Sequence, residues 1–215
     1  TAYNAENFIE ASIQSLLKQT LQNFTLIISD DASSDETEQI CKKMAEKDSR
    51  ILYFRQEKNL GPKGNFEFVA NQCNTEFFMW ASHDDIWASN FLESCLEVLE
   101  NQIDIGFVIT KCIVKSRNIP LVRRCFLPSM KFVSNPDPIK RMLFFTKLSF
   151  MTFKDNLTYG VWRNSVLKKI IHDTRNMKYF SIGGAANEYA LLTTKGKFIE
   201  NTYFLKRYKY LPPGS

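Results

Sequence analysis

The stretch Thr75-Glu76-Phe77-Phe78-Met79-Trp80-Ala81-Ser82-His83-Asp84-Asp85-Ile86-Trp87 decides the fold. Its apolar run, residues 77–81, stops abruptly at two adjacent carboxylates. A short apolar run bounded by polar residues reads as a buried strand, and the aromatic content supports that reading. In open α/β sheets ligands bind beyond the carboxyl ends of the strands, which is where Asp84 and Asp85 then stand. Adjacent carboxylates repel unless a cation or a partner compensates them. Hard oxygen ligands in such a pair suit magnesium or manganese, and a metal held this way commonly bridges to substrate phosphates. A helix N-cap is the alternative, because Asp caps well and a helix-like segment follows from Ala88. Taken alone, the stretch leaves both readings open.

Upstream, residues 5–19 form an amphipathic pattern with Ile9, Ile13, Leu16 and Leu17 on one face. Residues 25–29 read as a strand ended by a second acidic pair, Asp30-Asp31. Ser33, Ser34 and Asp35 supply turn and cap chemistry for a helix over residues 36–48. Residues 51–54 predict a strand, and residues 59–65 a loop by their Gly and Pro content. Helices are predicted over residues 66–71 and 88–101, and a strand over residues 105–114. Alternation with short connections predicts an α/β fold, a mostly parallel central sheet flanked by helices. In a parallel sheet both acidic pairs share one edge and face one crevice.

Downstream the pattern loosens. Residues 117–138 contain four prolines and read as a loop-rich excursion with room for short strands. Residues 139–145 suggest a helix. Residues 162–172 set Arg163, Lys168 and Lys169 around Val166, Leu167, Ile170 and Ile171, an amphipathic basic helix. Such a helix is either a membrane-surface contact or an ordinary solvated face. Gly183-Gly184 reads as a turn, residues 187–194 as a helix ended by Gly196, and residues 198–204 as a last strand.

Composition narrows the classes. The chain has 215 residues, 44% hydrophobic and 24% charged, enough for one large domain with a sizeable core. A net charge of +5 suits anionic ligands or an acidic membrane surface. No dense Lys/Arg stripe appears, which argues against nucleic acid. Five cysteines without a CxxC argue against a disulfide framework or a zinc site, and point to buried thiols in a reducing, cytoplasmic setting. The sequons at Asn23 and Asn156 are then chance matches. No apolar run reaches membrane-spanning length, and no signal peptide is recognised. The chain opens inside a motif, Thr1-Ala2-Tyr3-Asn4, which reads as a late start.

These fragments together resemble the family-2 inverting glycosyltransferases of the GT-A fold, a Rossmann-like α/β architecture. Thr1-Ala2-Tyr3-Asn4 looks like the end of that family's first strand and its opening loop. Residues 13–20, ending in Gln19-Thr20, are similar to its first helix. Asp30-Asp31-Ala32-Ser33-Ser34-Asp35-Glu36-Thr37 looks like its acidic signature. Asn59-Leu60-Gly61 with Gly64-Asn65 matches the next loop, and His83-Asp84-Asp85-Ile86-Trp87 matches the metal motif. The form Asp-Asp-Ile-Trp looks most like bacterial surface-polysaccharide enzymes.

The resemblance implies one catalytic domain. Residues 1–115 would bind the nucleotide sugar and a loop-rich half, residues 116–215, the acceptor. Asp31 resembles the carboxylate that hydrogen-bonds the base, and Thr1 and Tyr3 resemble residues lining it. Gly64 and Asn65 fall in a donor-binding loop, Asp84 near ribose and metal, and Asp85 at the direct metal ligand. The implied cofactor is Mn2+ or Mg2+. The implied partners are a UDP- or dTDP-sugar, a glycan or lipid-linked acceptor, and a peripheral contact with the inner membrane face. An inverting transfer needs a carboxylate to take the acceptor's proton, and Glu188 stands where the family usually has Asp. The competing readings are a degenerate, non-catalytic binding module and a nucleotidyltransferase. The latter lacks its Gly-rich triphosphate loop here. The family's first strand, an apolar run before Thr1, is missing, which predicts an open slot in the sheet unless another segment fills it.

Overall fold

The computed structural model describes residues 1–116, 119–125, 128–147, 157–174 and 185–208. Helix α1 (Ile9–Leu17) buries Ile9, Ser12, Ile13 and Leu16 along one stripe. Strand β1 (Leu26–Asp30), helix α2 (Thr37–Lys47) and strand β2 (Ile51–Arg55) follow. The two strands pair in parallel, Leu26 opposite Ile51 and Asp30 opposite Arg55. Ala2, Ala5, Ile9, Ile13, Ile28, Cys41 and Ile51 form one apolar cluster that fastens α1 and α2 to this pair.

Helix α3 (Gly61–Gln72) begins within the predicted loop. Gly and Pro there are not breakers, because proline fits the first helical turn, where its missing N–H costs nothing. Gly61 takes φ +73°, open to glycine, at the bend into the helix. A Cβ on Gly64 would meet the Leu60 Cβ at 2.9 Å, so the close turn requires glycine.

Strands β3 (Phe77–Met79) and β4 (Ile86–Trp87), helix α4 (Phe91–Asn101) and strands β5 (Ile105–Ser116) and β6 (Ile119–Cys125) come next. A 3-10 helix (Pro128–Ser134) leads to helix α5 (Pro138–Lys147). The last elements are β7 (Val161–Arg163), α6 (Asn164–Thr174), α7 (Ala185–Thr193) and β8 (Lys195–Tyr208). The predicted basic helix is thus β7 for its first two residues and α6 for the rest. Helix α4 starts three residues later than predicted, after a turn at residues 89–90. Within the predicted loop-rich excursion the described residues form one short strand, β6, and the 3-10 helix. The Gly183-Gly184 turn and Asn156 lie outside the described residues.

The larger sheet runs β3-β7-β5-β8-β4, with β6 on β5. Only β5 and β8 are parallel within it; β3·β7, β5·β7, β4·β8 and β5·β6 are antiparallel. The fold is α/β, as predicted, with a mixed rather than mostly parallel larger sheet. The antiparallel strands β7 and β4 are three and two residues long, too short to show a period in sequence. Neighbours along β5 face opposite sides. Phe107 and Ile109 enter a cluster with α3, α6 and α7, and Val108 enters one with α4. Burial on both faces explains the apolar start of β5, residues 105–109.

Between β1 and β3 lies a cavity of about 640 Å3, lined among others by Ile13, Leu16, Leu26, Ile28, Phe77 and Met79. No described strand fills it, and it separates the β1–β2 pair from the larger sheet.

Candidate functional site

The loop after β1 is built on Asp30, which is fully buried. Its Oδ1 accepts the Ser33 N–H at 2.9 Å. Its Oδ2 accepts the Tyr53 hydroxyl at 2.9 Å and an Arg55 guanidinium N–H at 2.8 Å. Burial and this carboxylate together raise the Tyr53 phenol well above its usual range. Every oxygen of Asp30 is thus spent on holding the loop. Asp35 contributes further: its Oδ1 accepts the Thr37 N–H at 3.0 Å and its Oδ2 the Glu6 N–H at 3.1 Å. Thr37 Oγ1 in turn accepts the Ala5 N–H at 2.7 Å. Ser33 Oγ accepts the N–H of Asn4, which sits at φ +46°. These bonds lock the opening residues onto the acidic loop, as two motifs far apart in sequence.

Asp31 and Asn65 take positions on this frame. The Asp31 N–H donates to the Ala2 carbonyl at 2.9 Å, and its Oδ1 accepts the Leu60 N–H at 2.7 Å. Asn65 is buried on α3; its Nδ2 donates to the Ser29 carbonyl at 3.1 Å, and its Oδ1 has no partner. Tyr3 is 48% exposed, its ring open to solvent beside this cluster. Gly64 and Asn65 therefore stand on a helix, not the predicted loop, with Asn65 turned into the β1 edge.

The second acidic pair lies between β3 and β4. The Thr1 amine donates to the Ala81 carbonyl at 3.4 Å, and Ser12 Oγ donates to the Ser82 carbonyl at 3.1 Å. Through these contacts the opening residues touch both acidic segments, Ala2 at Asp31 and Thr1 at Ala81. Ser82 Oγ donates to Asp84 Oδ1. The Arg207 Nε donates to the Asp84 carbonyl at 2.5 Å, and its NH2 to the Phe8 carbonyl at 3.1 Å.

Asp85 is the anomalous group. It is fully buried, and neither carboxylate oxygen has a hydrogen-bond partner. Burial pushes its carboxyl up to about 7; the Lys206 charge pulls it down, and Asp84 pushes it up again. An ionised carboxylate left buried and unpaired is expensive, so this position calls for a proton or a cation. Among the described residues no cluster of three acidic, His or Cys side chains exists. Magnesium-type ions need no such cage, because they use one or two carboxylates and complete their shell with water and substrate phosphates. The donor set fits a cation that arrives with a phosphorylated ligand.

Glu188 stands apart from these groups. It lies on the first turn of α7, half-buried, with no hydrogen bond or ion pair to either acidic pair. Ala186 and Ala190 pack α7 into the cluster that holds Trp80, at the end of β3. Asn187, preceding it, is buried and donates to Thr158 Oγ1 at 3.3 Å. His83 is half-buried in the β3–β4 loop, and His172 is exposed on α6.

Sequence reasoning missed Lys206 and Arg207. They end the last strand, where Ile86 pairs with Leu205 and Trp87 with Phe204. Continuing that register puts Lys206 across from Asp85 and Arg207 across from Asp84. The Lys206 Nζ sits 4.5 Å over the Tyr159 ring, a cation–π contact that orients the ammonium. The only signal in sequence was two bases in a row at the end of an apolar strand.

With this geometry in place, three comparisons bear on the chain. The family model described as Glycosyl transferase family 2 matches residues 1–174. The Escherichia coli UDP-Glc:alpha-D-GlcNAc-diphosphoundecaprenol beta-1,3-glucosyltransferase WfgD is 39% identical over 107 residues, 49% of this chain and 42% of that protein. The chain thus spans less than half the length of that relative. The Staphylococcus aureus TarS 1-349 structure in complex with UDP-GlcNAc superposes with TM-score 0.72 at 19% identity, covering 98% of this chain and 57% of that one. A Pyrobaculum calidifontis mannosyltransferase in complex with GDP-Man and Mn2+ superposes with TM-score 0.61 at 12% identity, covering 95% and 54%. Both likenesses are of fold.

Proposed function

The chain belongs to glycosyl transferase family 2, and from that premise we propose that it transfers a sugar, with inversion, from a nucleoside-diphosphate sugar to a glycan or lipid-linked acceptor in cell-surface polysaccharide synthesis. One observation carries the reading. Asp85, buried and unpaired between β3 and β4, calls for a proton or a cation, and the basic side chains Lys206 and Arg207 follow Leu205 on the strand that pairs with β4. Two carboxylates beside two bases suit a metal-bound diphosphate better than either partner alone.

In this reading Asp31 and Tyr3 cradle the base, with Thr1, Gly64 and Asn65 shaping the floor. Asp84 and Asp85 would hold Mg2+ or Mn2+, whose chemistry is to offset the negative charge developing on the diphosphate. Lys206 and Arg207 add fixed positive charge on the same side. The acceptor hydroxyl oxygen attacks the anomeric carbon as the bond to the diphosphate oxygen breaks. The Glu188 carboxylate takes the hydroxyl proton, and the nucleoside diphosphate leaves with the bonding electron pair. Glu is one methylene longer than Asp, so the acceptor sits correspondingly further from α7.

The similarity to WfgD supports this class of substrates. WfgD is named for a UDP-glucose donor and a diphosphoundecaprenol-linked acceptor. A thermal-shift panel of nucleotide sugars with Mn2+ tests the reading, because a ligand bound by the folded state alone raises the melting temperature. A UDP- or dTDP-sugar that raises it only with the metal supports the proposal. A flat panel contradicts it.

A second reading, a non-catalytic glycan-binding module, is favoured by one feature: Glu188 stands where the family usually has Asp. It predicts donor binding with no transfer to any acceptor.

A further inference from the structure

We infer that the outward face of α5, with Leu192 of α7, is a docking surface for an anionic lipid bilayer. Among the described residues most large apolar side chains are buried or half-buried. Four exposed exceptions gather here: Ile139 at 64%, Leu143 and Phe144 at 52% each, and Leu192 at 44%. On a helical projection, positions 139, 143, 147, 140 and 144 follow one another round a single arc. That arc therefore carries three large apolar side chains interleaved with Lys140 and Lys147, both exposed. The opposite arc holds Arg141 and Phe145, both buried.

The face is rigidly mounted. Arg141 Nε donates to the Leu191 carbonyl at 2.7 Å, and its NH1 to the Asn135 carbonyl at 2.6 Å and the Pro136 carbonyl at 3.2 Å. The first bond fixes α5 to α7, and the other two brace the turn that precedes α5. Phe132 lies 6.3 Å from Phe144, ring to ring, and supports it from below. Asp137, at the start of α5, approaches Lys140 to 4.0 Å; its Oδ1 accepts the Ile139 N–H, so it serves as a cap. No acid occurs within α5 itself.

Apolar side chains and lysines on one arc match the bilayer interface. The apolar groups enter the acyl boundary, and the lysine stems reach back to lipid phosphates. A second copy of the chain fits poorly, because a self-complementary contact sets these lysines against each other. The basic helix α6 fits worse still. Its Leu167 and Ile170 are in the core, Lys168 donates to the Cys73 carbonyl at 2.9 Å, and Lys169 pairs with Asp173 at 2.7 Å.

The position has a consequence that rests on the proposed function. Leu192 is four residues from Glu188, hence on the same stripe of α7. A membrane against Leu192 would present a lipid-linked acceptor within one helical turn of the proposed base.

Co-sedimentation with sucrose-loaded vesicles tests the surface. The vesicles are phosphatidylcholine alone, or with roughly a quarter phosphatidylglycerol. Wild type is expected to pellet with the anionic vesicles at low salt and far less with the neutral ones. Each lysine near an anionic surface strengthens binding about fivefold, so Lys140→Glu/Lys147→Glu should lose at least that much and most of the salt dependence. Ile139→Ser/Leu143→Ser, at exposed sites, should weaken binding about tenfold or more without lowering the melting temperature. Lys168→Gln/Lys169→Gln should bind like wild type. Equal pelleting by all variants, or none by wild type, overturns the inference. So does a wild-type dimer in light scattering that Ile139→Ser/Leu143→Ser dissociates, which assigns the face to a second copy. Nucleotide-sugar binding, measured on the same proteins without vesicles, reports on the donor site separately: its absence removes the enzymatic reading and leaves the lipid result standing.

Discussion

Extending the β4–β8 register one step beyond the Ile86–Leu205 pair brings Lys206 to Asp85, and the charge of Lys206 acts on that carboxyl. Its ammonium rests 4.5 Å over the Tyr159 ring, and its charge is the largest influence drawing the Asp85 carboxyl back toward ionisation. No hydrogen bond joins the two, so the carboxylate keeps both oxygens for another partner. Lys206→Met keeps the aliphatic stem against Tyr159 and removes the charge. Nucleoside-diphosphate affinity should fall about tenfold, the worth of one charge-assisted contact. Calorimetry checks this; an unchanged affinity means that Lys206 does not face the diphosphate.

Asp85 also makes stability depend on pH in the metal-free protein. Its folded carboxyl titrates at about 7, and an unfolded one near 3.9. Between these values the folded state holds an extra proton, so stability is full below about 4 and falls as pH rises through 7. The expected loss is a few kcal/mol at most. Asp85→Asn should abolish this slope, measured by urea unfolding at pH 4.5 to 8 in chelator. Parallel curves for both proteins contradict the assignment.

The two acids after β1 divide their work. Asp30 is buried against Arg55, Tyr53 and Ser33. Asp30→Asn should cost about 2–3 kcal/mol, at the low end for a buried pair because Arg55 is one-third exposed. Asp31→Asn keeps an oxygen for the Leu60 N–H, so it should cost under about 1 kcal/mol yet weaken nucleotide binding. Denaturant unfolding and calorimetry separate the two effects; a reversed ranking refutes the division.

Glu188→Gln should leave donor affinity unchanged and reduce transfer by about 10^2–10^4-fold. Single-turnover transfer to a lipid-linked acceptor measures it. Full activity in the variant would remove Glu188 from the mechanism.

How far the sequence carries depends on how local the determining physics is. Helix α1 and the β1–α2–β2 unit were legible because their periods and caps lie within a few residues of each other. The start of α3 was not. Gly61, Pro62 and Gly64 punctuate in isolation, and only the packing of Leu60 against Gly64 makes them helical. Asp84 and Asp85 were legible as a strand end. Lys206 was not, because its place opposite Asp85 follows from a register spanning some 120 residues. The short strands β4 and β7 carry no period at all, so the mixed sheet was invisible. Helix α5 was readable as a helix, but which of its apolar residues stay outside depends on Arg141 reaching α7.

The most direct test is calorimetric titration of the best donor from the thermal-shift panel into wild type and Asp85→Ala, each with and without Mn2+. Wild type should bind tightly only with the metal, and Asp85→Ala should bind weakly in both conditions. Equal affinities in all four titrations would contradict a cation held by the Asp84–Asp85 pair, and with it the proposed chemistry.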